Sequence, residues 1–384
     1  MKVLMAGGGT GGHIMPALAV ADALRSQFPD VDIRFAGATR GLESNLIPAE
    51  GYKLITLPVR GVMGTSGRQR FQAGWALLRG AQQAYRWMGE WRPDVVFATG
   101  GYVSPPVCFA AWLRRIPVAI FEPNAIPGRA NRWMSHLATE ILLGNSMARA
   151  MLPRRERVRL TGIPIRGNVL FGNRTRAARM YRLDPDRFTI LVLGGSQGAH
   201  AINGLVVETI RELGRRDDIQ FVLQSGPSDY NWLLSKVRPL PIRTWVRPFI
   251  HQMGDSLAVA DLVIARAGAL TLAELCVTGR PSILIPYPHA ADNHQEANAR
   301  CLEEVGAARV LLSDEVSGLV MAQEITRLLG DGRLLRSQGM MAQKLARFEA
   351  ADTIARRLAN LEGSEPKPKD VAPRRHRRRP RGRA

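Results

Sequence analysis

The 384-residue chain reads as an α/β protein built from two Rossmann-like, parallel-sheet domains that face a common cleft. Three observations predict this. Short apolar strands alternate with helical stretches along most of the length, the rhythm of βα units. Two glycine-rich turns, Gly7-Gly8-Gly9-Thr10-Gly11-Gly12-His13 and Gly194-Gly195-Ser196-Gln197-Gly198-Ala199, each follow an apolar strand, open onto a helix and lie in different halves of the chain. The length also exceeds what one core usually supports, so two domains of roughly 150–200 residues are expected.

The elements follow in order. Residues 2–6 form a strand, 15–27 a helix, 32–36 a strand, 94–99 a strand and 107–114 a helix. The Pro-, Gly- and Arg-rich stretch 162–186 breaks the rhythm and places a boundary between a domain 1–164 and a domain 165–340. Strand 188–193 restarts the cycle, followed by strands 220–224, 261–265 and 282–285 and a helix over 291–305. A closing helical segment ends the fold, its last part, 341–363, packing back on the first domain, and a disordered basic tail covers 364–384.

The formal net charge is +20, of which residues 366–384 carry nine Lys/Arg against one Asp. The body stays strongly basic without them, which points to an anionic partner: a phosphorylated substrate, an anionic membrane surface or nucleic acid. The tail lacks interleaved aromatics for base stacking, so an anionic-lipid tether is preferred and no nucleic acid is expected. The three cysteines, Cys108, Cys276 and Cys301, are widely spaced and suit a reducing compartment. The uncharged runs 3–21 and 95–113 are interrupted by glycines, the second also by Pro105-Pro106, so neither a signal peptide nor a membrane span is expected.

A glycine turn at a strand's carboxyl end lets backbone N–H groups and a helix N-terminus approach a phosphate closely. Gly7, Gly9 and Gly12 satisfy G-x-G-x-x-G, but strand 32–36 runs into Gly37-Ala38-Thr39-Arg40, without the acid that would bind a dinucleotide's ribose. Asp30-Val31-Asp32 and Asp184-Pro185-Asp186 spell D-x-D, yet each precedes a strand, away from the ligand end, so no metal is expected. In Arg266-Ala267-Gly268-Ala269-Leu270-Thr271-Leu272-Ala273-Glu274, a strand, a glycine turn, a helix start and a carboxylate follow in succession. The helix N-terminus suits a diphosphate and Glu274 two ribose hydroxyls; Thr271-x-x-Glu274 equally fits a capping box that needs no ligand.

These residues resemble the MurG family, whose members add N-acetylglucosamine to undecaprenyl-diphospho-muramoyl-pentapeptide. The resemblance spans all but the tail. It rests on Gly8 to His13, Gly100-Gly101-Tyr102-Val103-Ser104, Glu122 with Asn124, Gly194 to Ala199, Gly268 to Thr271 with Glu274, and Asp292-Asn293-His294-Gln295 with Asn298-Ala299. It implies a GT-B fold, with UDP-N-acetylglucosamine on the C-terminal half and the lipid acceptor on the N-terminal half. No cofactor is implied. Ser196 and the helix start, Ala269 to Leu272 and on through Ala273, would contact the donor diphosphate, with Arg166 adding positive charge. Glu274 would bind the ribose, the backbone of Ile250 the uracil, and Gln295 and Asn298 the sugar hydroxyls. Thr10, Gly11, Gly12, Tyr102 and Asn124 would serve diphosphate and sugar on the other side. Pro123, Ile163 and Pro105 depart from the family's usual residues. A UDP-N-acetylglucosamine 2-epimerase and an NAD-linked oxidoreductase are the competing readings.

The family inverts the anomeric centre, so a base is required. His13 is the leading candidate, and the alternative is that it donates a hydrogen bond to the acceptor diphosphate. Glu122 is the rival base, the group that orients His13, or the partner of Arg129 or Arg132. A lipid acceptor also requires a membrane-facing surface. Phe71, Trp75 and Leu78 fall at helical spacing within 68–86, flanked by Arg68, Arg70, Arg79 and Arg86, and Trp112 beside Arg114-Arg115 could join them; the alternative is that the aromatics pack in the core. The resemblance further implies the cytoplasmic face of the bacterial inner membrane, with anionic lipids and other cell-wall or division proteins as partners.

Overall fold

The computed structural model describes residues 1–59, 67–153, 155–195 and 199–362, with the side chains of 67–73 outside the description. The first half runs β1 (Lys2–Gly7), α1 (Gly11–Gln27), β2 (Asp32–Ala38), α2 (Glu43–Ala49), β3 (Lys53–Leu57), α3 (Gly67–Trp91), β4 (Val95–Gly100), α4 (Ser104–Leu113), β5 (Val118–Glu122), α5 (Arg129–Met134), β6 (Glu140–Leu143) and β7 (Val158–Leu160). The second half runs α6 (Gly167–Leu170), α7 (Arg174–Tyr181), β8 (Phe188–Leu193), α8 (His200–Leu213), β9 (Ile219–Gln224), α9 (Tyr230–Val237), β10 (Arg243–Arg247), α10 (Met253–Val259), β11 (Leu262–Ala265), α11 (Ala269–Thr278), β12 (Ser282–Leu284), α12 (His294–Glu303), β13 (Arg309–Val310), α13 (Gly318–Gly330), α14 (Gly332–Lys344) and α15 (Ala350–Leu361).

Both sheets are parallel, and they share one plan. The first has the order β3-β2-β1-β4-β5-β6-β7 and the second β10-β9-β8-β11-β12-β13. In each, strand order reverses beside the first strand, which opens a crevice at the carboxyl ends between β1 and β4 and between β8 and β11. Both glycine turns leave the sheet at those reversals. Parallel strands covered on both faces must be apolar on both faces, and β4, β5 and β11 are buried throughout.

Each sheet carries a core on either face. Leu4, Ala98 and Ile120 pack on one side of the first sheet and Met5, Phe97 and Phe121 on the other. Ile165 and Val169 already belong to the second domain's core, with Leu191 and Val263. The closing segment is two helices where one was expected. α14 packs on α11, whereas α15 crosses back to α1 and buries Ile354, Ala355 and Leu358 in the first domain's core. Each such aliphatic side chain contributes about 1.5–3 kcal/mol, and Arg357 adds an ion pair to Glu140.

Candidate active site

α1 and α11 pack beside each other with neither N-terminus capped by a side chain. On α1 the N–H groups of Gly11 and Gly12, and on α11 those of Ala269, Leu270 and Thr271, make no intrahelical bond, since the first acceptors reached are Thr10 and Gly268. Thr10 itself is exposed. Free N–H groups and helix dipoles thus turn toward one cleft from both domains, an arrangement for phosphate groups.

His13 lies in the first turn of α1, its ring against Gly100 and Gly101. Gly100 has φ +103, and a methyl group there would stand 2.9 Å from His13 Cε1, so only glycine admits the ring. Nδ1 lies 2.7 Å from the Thr99 carbonyl oxygen. A carbonyl only accepts, so Nδ1 carries the hydrogen and Nε2 keeps its lone pair. Burial holds the imidazole pKa below its ordinary value, opposed by the Thr99 bond and the charge of Glu122 and assisted by His294 across the cleft. The ring is a neutral base at neutral pH.

Glu122 is 1 % exposed and accepts four hydrogen bonds, from the Asn124 amide and side chain (2.9 and 3.0 Å), Gly128 N (2.9 Å) and Asn131 Nδ2 (2.8 Å). Its lone pairs are committed, which suits a group that shapes the loop beside His13 rather than one that takes a proton. The expected partners Arg129 and Arg132 reach Asp292 of the second domain instead.

The structure excludes a capping box between Thr271 and Glu274. α11 begins at Ala269 behind Gly268, so Thr271 lies inside the first turn and caps nothing. The half-buried Glu274 carboxylate has no hydrogen-bond or ion-pair partner among the described residues. Burial alone pushes its pKa up to about 7. Ile250 follows the end of β10 with its side chain in the core, and its backbone N–H and C=O are unpaired among the described residues, a donor and an acceptor on offer together.

Several expected donor contacts lie elsewhere. Arg166 donates to both Glu50 oxygens (2.6 and 2.8 Å) and to Asp22 (3.1 Å). Asp22 stands nine residues along α1 from His13, about 13 Å from the cleft end. The two-pronged bond to Glu50 and the single bond to Asp22 commit the guanidinium to these carboxylates. Asn298 is 3 % exposed and fully engaged, accepting from Ala125 N (2.8 Å) and donating to Asn124 Oδ1 (3.1 Å) and Ala267 O (3.3 Å). It clasps the two domains rather than facing a sugar, and Asn124 is engaged with it. Gln295 Oε1 accepts from Tyr287 N (3.0 Å). The Asp292-Asn293 pair before it adopts φ +52 at both residues, the left-handed region that Asp and Asn tolerate best. Ser196 lies outside the described residues.

Glu43 is the residue that the sequence reading missed. It is fully buried, and its oxygens accept from Gly9 N and Ala38 N at 3.1 Å each. Side chains at Gly8, Gly37 or Gly41 would collide with it, and Tyr102 lies over Gly9 beside it. The carboxylate thus ties the first glycine turn to the end of β2. The clue was a glutamate five residues after strand β2, just beyond Gly41. Glu43→Ala strands two buried amides and is expected to lower the unfolding free energy by about 2–4 kcal/mol in urea titrations. It should also raise the acceptor KM more than the donor KM.

Two parallel sheets of matching order, turned toward each other at their carboxyl ends, are a GT-B fold, and the family match makes the chain a glycosyltransferase. Residues 3–143 match the glycosyltransferase family 28 N-terminal domain and residues 189–356 its C-terminal domain. The UDP-N-acetylglucosamine–N-acetylmuramyl-(pentapeptide) pyrophosphoryl-undecaprenol N-acetylglucosamine transferase of Thermodesulfovibrio yellowstonii is 39 % identical over 355 residues, 92 % of this chain and 97 % of that protein. The enzyme of the same name from Myxococcus xanthus is 40 % identical over 92 % of this chain and 91 % of its own length. The crystal structure of Acinetobacter baumannii MurG superposes with a TM-score of 0.73 at 27 % identity, covering 94 % of this chain and 99 % of that one. The chain belongs to the MurG family. A UDP-GlcNAc 2-epimerase from Neisseria meningitidis, at 12 % identity and a TM-score of 0.67 over 94 % of this chain and 100 % of its own, shares the fold alone.

Proposed function

We propose that the chain transfers N-acetylglucosamine from UDP-N-acetylglucosamine to the C4 hydroxyl of the muramoyl sugar in undecaprenyl-diphospho-muramoyl-pentapeptide, with inversion. The observation that carries the donor half is the unpartnered Glu274 one turn into the uncapped α11. The ribose diol supplies the two donors that the carboxylate lacks, the helix N-terminus and the 194–199 turn receive the diphosphate, and the Ile250 backbone pairs with the uracil edge. The acceptor sits on the first domain at the Gly11-Gly12 turn. Its O4 attacks C1 as the C1–O bond to the diphosphate breaks. The electron pair leaves with UDP, and the O4 proton passes to Nε2 of His13. Helix dipoles aimed at the leaving diphosphate stabilise the developing charge.

The test follows UDP release in the purified full-length protein. Release is expected only when both UDP-N-acetylglucosamine and the undecaprenyl-linked acceptor are present, with a disaccharide-lipid product. Turnover of the nucleotide sugar without acceptor would favour the epimerase reading.

The division into domains 1–164 and 165–340 belongs to the same reading, as does a peripheral site on the cytoplasmic face of the plasma membrane. No helix among the described residues is long and apolar enough to cross a membrane. On α3, Trp75 and Leu78 are 53 % and 61 % exposed, with Arg79 over the Trp75 ring. These two side chains are not core. Trp112 stacks on Phe109, and Leu113 and Trp133 are exposed near it. Arg114 covers Tyr85, ten residues and about 15 Å along α3 from Trp75, so the apolar surface is two clusters rather than one. The Phe71 side chain and the tail lie outside the described residues. Replacing Trp75 and Leu78 together with serine should weaken binding to phosphatidylglycerol vesicles about tenfold or more, read by co-sedimentation, without lowering Tm.

A further inference from the structure

Asn131, on α5, is 4 % exposed, and its side chain is held in one orientation. Nδ2 donates to the Phe121 carbonyl oxygen (3.0 Å) and to Glu122 Oε2 (2.8 Å). Both partners can only accept, so the amide cannot be turned over without losing both bonds. Its carbonyl oxygen is therefore fixed on the other side, and there it is buried with no hydrogen-bond partner among the described residues. A buried acceptor left unpaired costs roughly 1–3 kcal/mol, so a persistent one asks for a reason.

That oxygen borders the base. A methyl group built on Gly100 would stand 2.9 Å from His13 Cε1, 3.1 Å from His13 Nδ1 and 3.7 Å from Asn131 Oδ1. The carbonyl and the imidazole edge thus flank the same small space, and Gly100 leaves it open. When an imidazole takes a second proton, its Cε1–H becomes more positive, and an amide carbonyl dipole beside it gains attraction.

We propose that Asn131 is a positioning residue for His13: its unpaired carbonyl stabilises the imidazolium that forms as the acceptor proton arrives, while its NH₂ group holds Glu122. The proposal rests on the reading of His13 as the base. The other charged or titratable groups around the ring are Glu122 at the end of β5, His294 at the head of α12, Asp292 with its partners Arg129 and Arg132, and the Glu43–Tyr102 pair behind the glycine turn.

The test is an NMR titration of the His13 Cε1–H resonance in the full-length protein without substrates. Asn131→Leu is expected to lower the His13 pKa by a further half unit or so, and to reduce kcat several-fold with both KM values unchanged. Because leucine also removes a donor from Glu122, the comparison is repeated in a Glu122→Gln background. A shift that persists there supports direct action of the carbonyl, and one that vanishes, or no shift at all, overturns it. Asn131→Asp keeps an oxygen toward the ring, so its His13 pKa should equal or exceed that of the wild type. If the leucine variant does not fold, a pKa below wild type in the aspartate variant overturns the proposal. The base itself is tested separately: full activity in His13→Ala would remove His13 from the reaction without altering the Asn131 titration result.

Discussion

His13→Ala is expected to reduce kcat by about 10²–10⁴-fold, the range for a general base, while the dissociation constant for UDP-N-acetylglucosamine stays within a factor of two. In the proposed reading the donor contacts lie on the second domain, so calorimetric titration with the donor should scarcely change. The pH profile gives an independent reading. Burial holds the His13 pKa below 6.5, so the neutral, proton-accepting form dominates above that value and rate is lost only as pH falls through the lowered pKa. The wild type should therefore show an acidic limb in kcat/KM below the ordinary histidine range, and the variant should lack it. An unchanged limb in the variant would assign it to another group.

Glu274→Gln should weaken donor binding about 100-fold or more, because two hydrogen bonds from ribose hydroxyls to a carboxylate contribute roughly 1.5–3 kcal/mol each. The same substitution should stabilise the donor-free protein. With a folded pKa of about 7 against 4.5 unfolded, the native state binds more protons than the unfolded chain between those values. Stability attributable to this group is therefore present below about pH 4.5 and is lost as pH rises toward 7. The side chain is only half-buried and partly screened, so the penalty at pH 8 is on the order of 1–2 kcal/mol. Thermal unfolding should place the glutamine variant above wild type at pH 8 and level with it near pH 5. Donor binding at pH 7 should also release protons, seen as a buffer-dependent binding enthalpy. Tighter pairing in the complex favours the ionised carboxylate.

The βα rhythm, the two glycine turns and the Gly268–Glu274 segment were legible because they are local. Strand periodicity, glycine's conformational freedom and a carboxylate six residues after Gly268 all lie within one short window. The sequence could not decide what Thr271 does, since a capping box and a ligand-bearing turn spell the same letters. One fact, that α11 starts at Ala269, separated them. The aromatic stripe on α3 was equally undecided, because an apolar face reads alike whether it meets a core or a lipid. Exposure of Trp75 and Leu78 excludes the core for those two side chains.

The chain alone determined where its two glycine turns would stand, since each follows an apolar strand and opens onto a helix within one short window. Tertiary structure decided which charged side chains remain available there. Glu43 spends its charge on Gly9 and Arg166 on Glu50 and Asp22, the neutral Asn298 amide is taken up by a loop of the opposite domain, and Glu274 has no partner among the described residues. The partners in three of these pairings lie from 34 to 173 residues apart in sequence. An ionic or amide side chain takes whichever complement the fold brings within about 3 Å, and no pattern in a linear window records that meeting.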